Sequence, residues 1–362
     1  MRDNFNLKDL LISMEDLDAT DVHLQAGSVP AYRIKGDLEK QYEYGPISDE
    51  RLREIIFELL TERDKRTFDE KNTVDTAISI PGVGRFRISV FQQRGSIALA
   101  ARRISNQIPD FDTLHLPDAV KKIVEFPSGL VLVTGPTGSG KSSTLAAVIN
   151  NINKTRKCHI LCIEDPIEYM YKNELAIVNQ REIGIDVPSF KEALRYAVRQ
   201  DPDVILVGEI RDRDTVEFAL QSAETGHLVF GTLHSSNVSQ TISRILNFFP
   251  HSEHPSIRRS LAAHLKSVVS QLLLPSCKEG ITLIPATEIM FMNSTISRII
   301  LEEQDSKIVK AIRSARTEGM QDFELSLYNL VTEGFITKET ALEQAENPQS
   351  LDMKLRGISL SE

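Results

Sequence analysis

The chain has 362 residues, enough for two or three domains and too many for one simple core. Apolar residues make up 41% and charged residues 26%, the balance of a globular fold, and no stretch approaches the roughly 18 consecutive apolar residues that a membrane span needs. The net charge of -9 argues against a broad nucleic-acid surface, and the N-terminus lacks the apolar core of a signal peptide, so a cytoplasmic protein is expected.

In chain order, VHLQAGSVPAYRIKGDL has short-strand character. Ser48 then stands as an N-cap before Asp49 and Glu50, and Leu52, Ile55, Ile56, Leu59 and Leu60 form an apolar stripe at helical spacing. DTAISI, a turn from Pro81 to Gly84 and RFRISVFQQ predict a hairpin, because residues alternate between apolar and polar from Phe86 to Val90. These segments make residues 1–104 a small α+β domain. Pro109 and Pro117 break regular structure, which places an interdomain linker at 105–117. A helix is expected to begin at Pro117 in LPDAVKKIVEF.

Beyond it, the apolar runs GLVLVTG, HILCIED, DVILVGE, HLVFGTLH and TLIPATEIMF alternate with helical patterns. Continuous apolar runs mark strands covered on both faces, so residues 118–294 are expected to form a mainly parallel α/β sheet of nucleotide-binding type. Residues 295–362 read as a helical C-terminal region. Cys158 and Cys162, four apart on one strand, would lie about 13 Å apart, too far for a disulfide or a shared metal ion. With Cys277 remote and no C-x-x-C pair, the cysteines are expected to be structural thiols.

The strongest motif is Gly135-Pro136-Thr137-Gly138-Ser139-Gly140-Lys141-Ser142-Ser143, a match to G-x-x-x-x-G-K-[ST] between an apolar strand and a helix. Its glycines let the backbone wrap phosphate oxygens, and the helix offers free N–H groups and the positive end of its dipole. Lys141 is placed to bridge β- and γ-phosphates, and the Ser142 hydroxyl to bind Mg²⁺. The loop implies nucleotide binding, and it serves kinases, GTPases and translocases alike.

Two further strands end in acids: Glu164 and Asp165 in ILCIEDPIE, and Glu209 in VILVGEIRD. At the carboxyl ends of parallel strands such acids can order Mg²⁺ or polarise an attacking water. A lone acid at a strand end is usually a turn former; two of them behind this loop point to hydrolysis. His227 and His234 flank the strand in GHLVFGTLH, a pair that lacks the further ligands a metal needs and suits sensing of the γ-phosphate or coupling of nucleotide state to the sheet.

Taken in order, GPTGSGKSS, IEDPIE, RQDPDVILVGEIRD and AETGHLVFGTLH resemble the Walker A, Asp box, Walker B and His box of the type II/IV secretion ATPase superfamily. Their wording is closest to the PilT/PilU-type twitching-motility ATPases, which retract type IV pili. The resemblance implies a RecA-like P-loop ATPase domain behind a PAS-like N-terminal domain, since VHLQAGSVPAYRIKGDL and GRFRISVFQQRG are similar to the latter. It also implies Glu164 as the catalytic base, Glu209 as the acid near Mg²⁺, and His227 and His234 as the two His-box residues. Arg85, Arg87 and Arg102 resemble N-domain arginines that reach nucleotide, in a neighbouring subunit; as surface residues they could equally be salt-bridge partners.

The implied assembly is a homohexamer that hydrolyses ATP at the inner face of the cytoplasmic membrane and acts on the inner-membrane pilus platform protein, with a paralogous ATPase as a further partner. Neither zinc nor nucleic acid is expected. The assembly ATPases of these systems carry a four-cysteine zinc module, and this chain has no such cysteines. It departs from the retraction ATPases at Thr295–Glu302, where it reads TISRIILE against their AIRNLIRE and keeps the apolar positions while losing most polar ones; its end, ENPQSLDMKLRGI, is more similar to the accessory PilU type. The rival readings are therefore an accessory PilU-like ATPase, an adaptor ring that binds ATP with little turnover, a related secretion ATPase, and a DNA translocase, the last disfavoured by the acidic charge.

Overall fold

The computed structural model describes residues 6–105 and 107–358, which divide into two compact units. The first comprises residues up to Gln107 with Glu168–Met170, and the second Ile108–Ile167 with the chain from Tyr171 onward.

The first unit is an antiparallel sheet of β1 (Ala19–Gln25), β2 (Ala31–Ile34), β3 (Asp37–Lys40), β4 (Thr73–Ile80), β5 (Gly84–Gln93) and β6 (Ser96–Ile104), in the order β3-β2-β1-β6-β5-β4. Helices α1 (Leu7–Asp16), α2 (Asp49–Leu59) and α3 (Glu62–Lys71) complete it. Ser48 caps α2 by accepting from the Arg51 amide, and Leu52, Ile55 and Ile56 of that helix are buried. Phe86, Ile88 and Val90 on β5 and Val22 and Leu24 on β1 join Leu10, Leu11 and Met14 of α1 in one core. The alternate residues Arg85, Arg87 and Ser89 therefore project from the opposite face of the sheet.

The second unit is built on seven strands in the order β13-β12-β7-β11-β10-β8-β9. They are β7 (Gly129–Thr134), β8 (His159–Glu164), β9 (Ile177–Glu182), β10 (Val204–Val207), β11 (Leu228–Leu233), β12 (Leu265–Pro275) and β13 (Leu283–Phe291). All neighbouring pairs are parallel except β12 with β13. Leu130, Leu132, Ile205, Val207 and Val229 pack on one face, while Val131, Val133, Ile160, Val204 and Phe230 pack on the other, which is why these runs are apolar without alternation.

The helices here are α4 (Asp118–Lys121), α5 (Lys141–Thr155), α6 (Phe190–Ala197), α7 (Arg213–Glu224), α8 (Val238–Leu246), α9 (His254–His264), α10 (Ser294–Leu301), α11 (Ile308–Ser314), α12 (Phe323–Thr332), α13 (Lys338–Gln344) and α14 (Pro348–Leu355). The expected α/β class, with a helical C-terminal region, is the observed one. Leu327, Leu330, Ala341 and Leu351 of that region pack on Leu274, Ile284 and Ala286 at the far end of the β12/β13 pair.

Two local expectations need correction, the helix at Pro117 and the strand count. The helix expected from Pro117 is a single α turn, α4, which tightens into a 3₁₀ turn at Lys122–Glu125. Within 105–117, Phe111 and Leu116 are buried in the core of the second unit, so the expected linker is anchored there over its later residues. Strands β9 and β12 also stand where no strand is expected; β12 follows α9 with Leu265 as the helix's last cap, so neither glycine nor proline marks the change. Cys162 is fully buried, Cys158 half-buried and Cys277 exposed, and all three are free thiols.

Candidate active site

Strands β7, β11, β10 and β8 are neighbours and run parallel, so their carboxyl ends open together. The loop 135–140, His234, Glu209 and Glu164 follow or close these four strands, where ligands bind in open α/β sheets.

The loop is shaped by its glycines. Gly135 leaves β7 with φ 150°, and Gly138 and Gly140 have φ 79° and 86°. A Cβ on Gly135 would lie 2.4 Å from both the Gln271 carbonyl oxygen and Ser139 Oγ, so no side chain fits there. Pro136, Thr137 and Gly138 form an exposed rim, while Ser139 is buried. No side chain caps α5, whose N-terminal end, where the helix dipole is positive, directly follows the loop. The buried Lys141 donates from Nζ to the carbonyls of Gly135 and Pro136, each at 2.9 Å. Its ammonium is thus curled into the loop, where phosphate oxygens would replace these carbonyls. Ser139 Oγ is buried with no hydrogen-bond partner among the described residues, an orphaned hydroxyl that fits donation to an anion's oxygen. Ser142 is exposed on the first turn of α5 and Ser143 half-buried beside it. The donor set fits a polyphosphate, and the Ser142 hydroxyl and the Glu209 carboxylate are hard oxygens of the kind Mg²⁺ takes.

Glu164 closes β8, and Gln180 on β9 donates to its Oε1 at 3.0 Å. Gly208 permits this arrangement: a Cβ there would sit 3.2 Å from both Glu164 Cα and the Ile163 carbonyl oxygen. Glu209 accepts from Arg211 at 2.7 Å and lies 3.3 Å from His234 Nε2. Arg211 also reaches Asp165 at 3.4 Å. Asp165, Arg211, Glu209 and His234 therefore form one polar chain across the ends of β8, β10 and β11. Thr232 Oγ1 ties these ends together through a 2.6 Å bond to the Gly208 carbonyl.

His227 is not brought to this cluster. It precedes β11, its Nδ1 lying 3.0 Å from the Ser222 carbonyl and 3.1 Å from Thr225 Oγ1 at the end of α7. The length of the strand separates it from His234 by roughly 20 Å.

Arg85, Arg87 and Arg102 belong to the first unit. Arg87 is the cross-strand partner of Arg102, which is in turn the partner of Asp21 and donates to it from Nε at 2.7 Å. Arg33 follows on β2, 4.0 Å from Asp21. This row of the open face thus holds three guanidiniums and one carboxylate. Burial works against ionisation of Asp21, but the bonds from Arg102 and Thr20 outweigh it and hold the carboxyl below its ordinary value. Arg85 donates to Ser79 at 3.4 Å.

The sequence reading does not pick out Arg211 or Gln180. Arg211 lies two residues past Glu209 within VILVGEIRD, an available signal. Gln180 lies on β9, whose half-exposed residues make no apolar run.

Residues 86–349 match the family model of the Type II/IV secretion system protein. The type IV pilus retraction ATPase PilT of Pseudomonas aeruginosa is 39% identical over 345 residues, which cover 95% of this chain and 99% of that protein. The type IV pilus ATPase PilU of the same organism is 37% identical over 347 residues, 96% of this chain and 90% of that protein. The crystal structure of the pilus retraction motor PilT with bound ADP matches with a TM-score of 0.90 at 41% identity, covering 96% of this chain and 99% of that one. With its phosphate loop and acidic strand ends, the chain is a nucleotide-binding ATPase and belongs to the PilT-type type II/IV secretion ATPase family.

Proposed function

We propose that this chain is the subunit of a ring motor, a homohexamer, that hydrolyses ATP to retract type IV pili. The observation that carries the reading is the convergence of the phosphate loop with Glu164 and with the Asp165–Arg211–Glu209–His234 chain at adjacent strand ends. Gly135 to Ser143 hold the triphosphate, and Lys141 exchanges its two loop carbonyls for β- and γ-phosphate oxygens. Ser142 and Glu209 hold Mg²⁺, which neutralises phosphate charge. Glu164 orients a water and takes its proton as the water oxygen bonds to the γ-phosphorus; the bond to the β-phosphate oxygen breaks and ADP leaves. His234, with Nε2 3.3 Å from Glu209, reports whether the γ-phosphate is present. His227 couples the other end of β11 to α7. Arg85, Arg87 and Arg102 complete the site of a neighbouring subunit in trans.

The layout follows the sequence reading: residues 1–104 form the PAS-like domain, 105–117 the linker, 118–294 the ATPase domain and 295–362 the helical region. Among the described residues no helix is long and apolar enough to cross a membrane, which suits a cytoplasmic ring docked on the membrane's inner face against the platform protein. The accessory PilU-type role is the second reading. It is favoured by the near-equal identity to PilU and by the altered stretch on α10.

Steady-state ATPase activity of the purified parent and of Glu164→Gln, with mass by light scattering, tests the proposal. A hexamer whose turnover falls by about 10²–10⁴ in the variant, with ATP binding kept, supports a motor with Glu164 as base. Equal turnover would remove Glu164 from that role, and a ring that binds ATP without hydrolysis would favour the adaptor.

A further inference from the structure

Glu288, in the middle of β13, is an ionisable group that the scheme above leaves unused. It is 3% exposed, and its Oε2 accepts the backbone N–H of Val238 at 2.6 Å. Val238 is the first residue of α8, four residues beyond His234. The intervening segment is closely tied: Asn237 caps α8 by accepting from the Gln240 amide at 2.8 Å, Ser235 Oγ meets Thr241 Oγ1 at 2.8 Å, and the Ser236 amide reaches Gln240. On the other side, Glu288 is the cross-strand partner of Ser270, whose hydroxyl meets that of Thr134 at 2.7 Å. Thr134 is the last residue of β7, directly before Gly135. One buried polar row thus runs from Glu288 to the root of the phosphate loop, and one side-chain bond runs from Glu288 to the helix that continues the His234 segment.

We propose that Glu288 is a positioning residue for ATP turnover: its carboxylate anchors the start of α8 and so holds His234 against Glu209. Glu288 touches neither nucleotide nor the reacting water and acts only through His234. The inference rests on turnover at this site.

The anchor is sensitive to pH. Burial pushes the Glu288 carboxyl up to about 7, eased by the Val238 bond and reinforced by Asp322 and Glu346, with Arg313 opposing. Asp322, the N-cap of α12, is itself held by Arg313 and Arg316. Neither the facing stretch of β12, Val268–Leu272, nor the first turn of α8 carries an ionisable side chain. Protonation turns a charge-assisted bond into a neutral one of about half the strength, so turnover should rise as pH passes upward through neutrality.

The test compares kcat and KM for ATP across pH 6–8.5 in the parent and in Glu288→Gln, which keeps an acceptor oxygen without the charge. In the variant, kcat at pH 8 should fall to about the parent's value at pH 6, KM should stay within about twofold, and the limb near neutrality should vanish. A limb that persists in Glu288→Gln belongs to another group and would overturn the proposal; so would a parent without a limb. Hydrogen exchange on the unsubstituted protein decides the matter even where the variant fails to fold. In the local opening that frees the start of α8 while Glu288 stays buried on β13, protection of the Val238–Thr241 amides, corrected for intrinsic exchange, should drop about fivefold or more from pH 8 to pH 6. This is the reverse of the sign for global unfolding, which hydrates the carboxyl, and protection independent of pH would sink the anchor. Should the parent hydrolyse no ATP, the turnover reading alone fails, and the exchange measurement still tests the anchor.

Discussion

Glu288 is kept in the fold at a cost. Its folded pKa, raised to about 7 from an ordinary 4.5, means that the folded state binds the proton more tightly than the unfolded chain. Its contribution to stability is therefore full below about pH 4.5 and is lost as pH rises through about 7. Glu288→Gln should raise stability by on the order of 1–3 kcal/mol at pH 8 and by little at pH 5, read as thermal midpoints. An equal gain at both values would show that charge is not the cause. Gly208 works by space alone. Gly208→Ala presses a Cβ onto the backbone at Glu164 and Ile163, and it should cost about 1–3 kcal/mol and lower turnover with it. Unchanged melting and activity in Gly208→Ala would mean that β8 and β10 can part without consequence.

The site is assembled from short connections between strands and helices, each started by its own cap. Asp212 caps α7 directly behind Arg211, accepting from the Thr215 amide at 2.9 Å, and Asn237 caps α8 three residues behind His234. Ser48 caps α2 in the other unit by the same kind of bond. Replacing any of the three by alanine should cost about 1 kcal/mol. Only Asp212→Ala and Asn237→Ala should also lower kcat, because only those helices begin where site residues end. Steady-state assays beside melting curves test this, and a kcat loss in Ser48→Ala equal to the other two would count against it. α5 is the exception: it starts at Gly140 without a side-chain cap, as a helix must if its N–H groups are to serve a phosphate.

For the whole molecule, ATP or ADP bound in the loop should stabilise the folded state by about 2.7 kcal/mol at a hundredfold excess over its dissociation constant. Lys141→Ala should abolish most of that shift in calorimetry, because the ammonium that Nζ now presents to the Gly135 and Pro136 carbonyls is the group that would meet the phosphates. Much of this molecule is legible without coordinates. The phosphate loop, the apolar strand runs and the acids Glu164 and Glu209 are local in sequence, because each needs only a strand end and a few residues of turn. The N-cap at Ser48 and the hairpin of β4 and β5 are equally local. Strands β9 and β12 are not: one is a half-exposed edge and the other leaves α9 without a breaker, so each is defined by the neighbour it pairs with. The contacts of Arg211 with Glu209 and Asp165, of His234 with Glu209, and of Glu288 with Val238 join residues whose meeting depends on strand order. Sequence determined which chemical groups this protein carries and on which elements; only the tertiary structure decided which of them meet, separating His227 from His234 by the length of one strand and bringing Glu288 to a helix start 50 residues earlier in the chain, because side-chain bonds act over a few ångströms and only the packed sheet sets those distances.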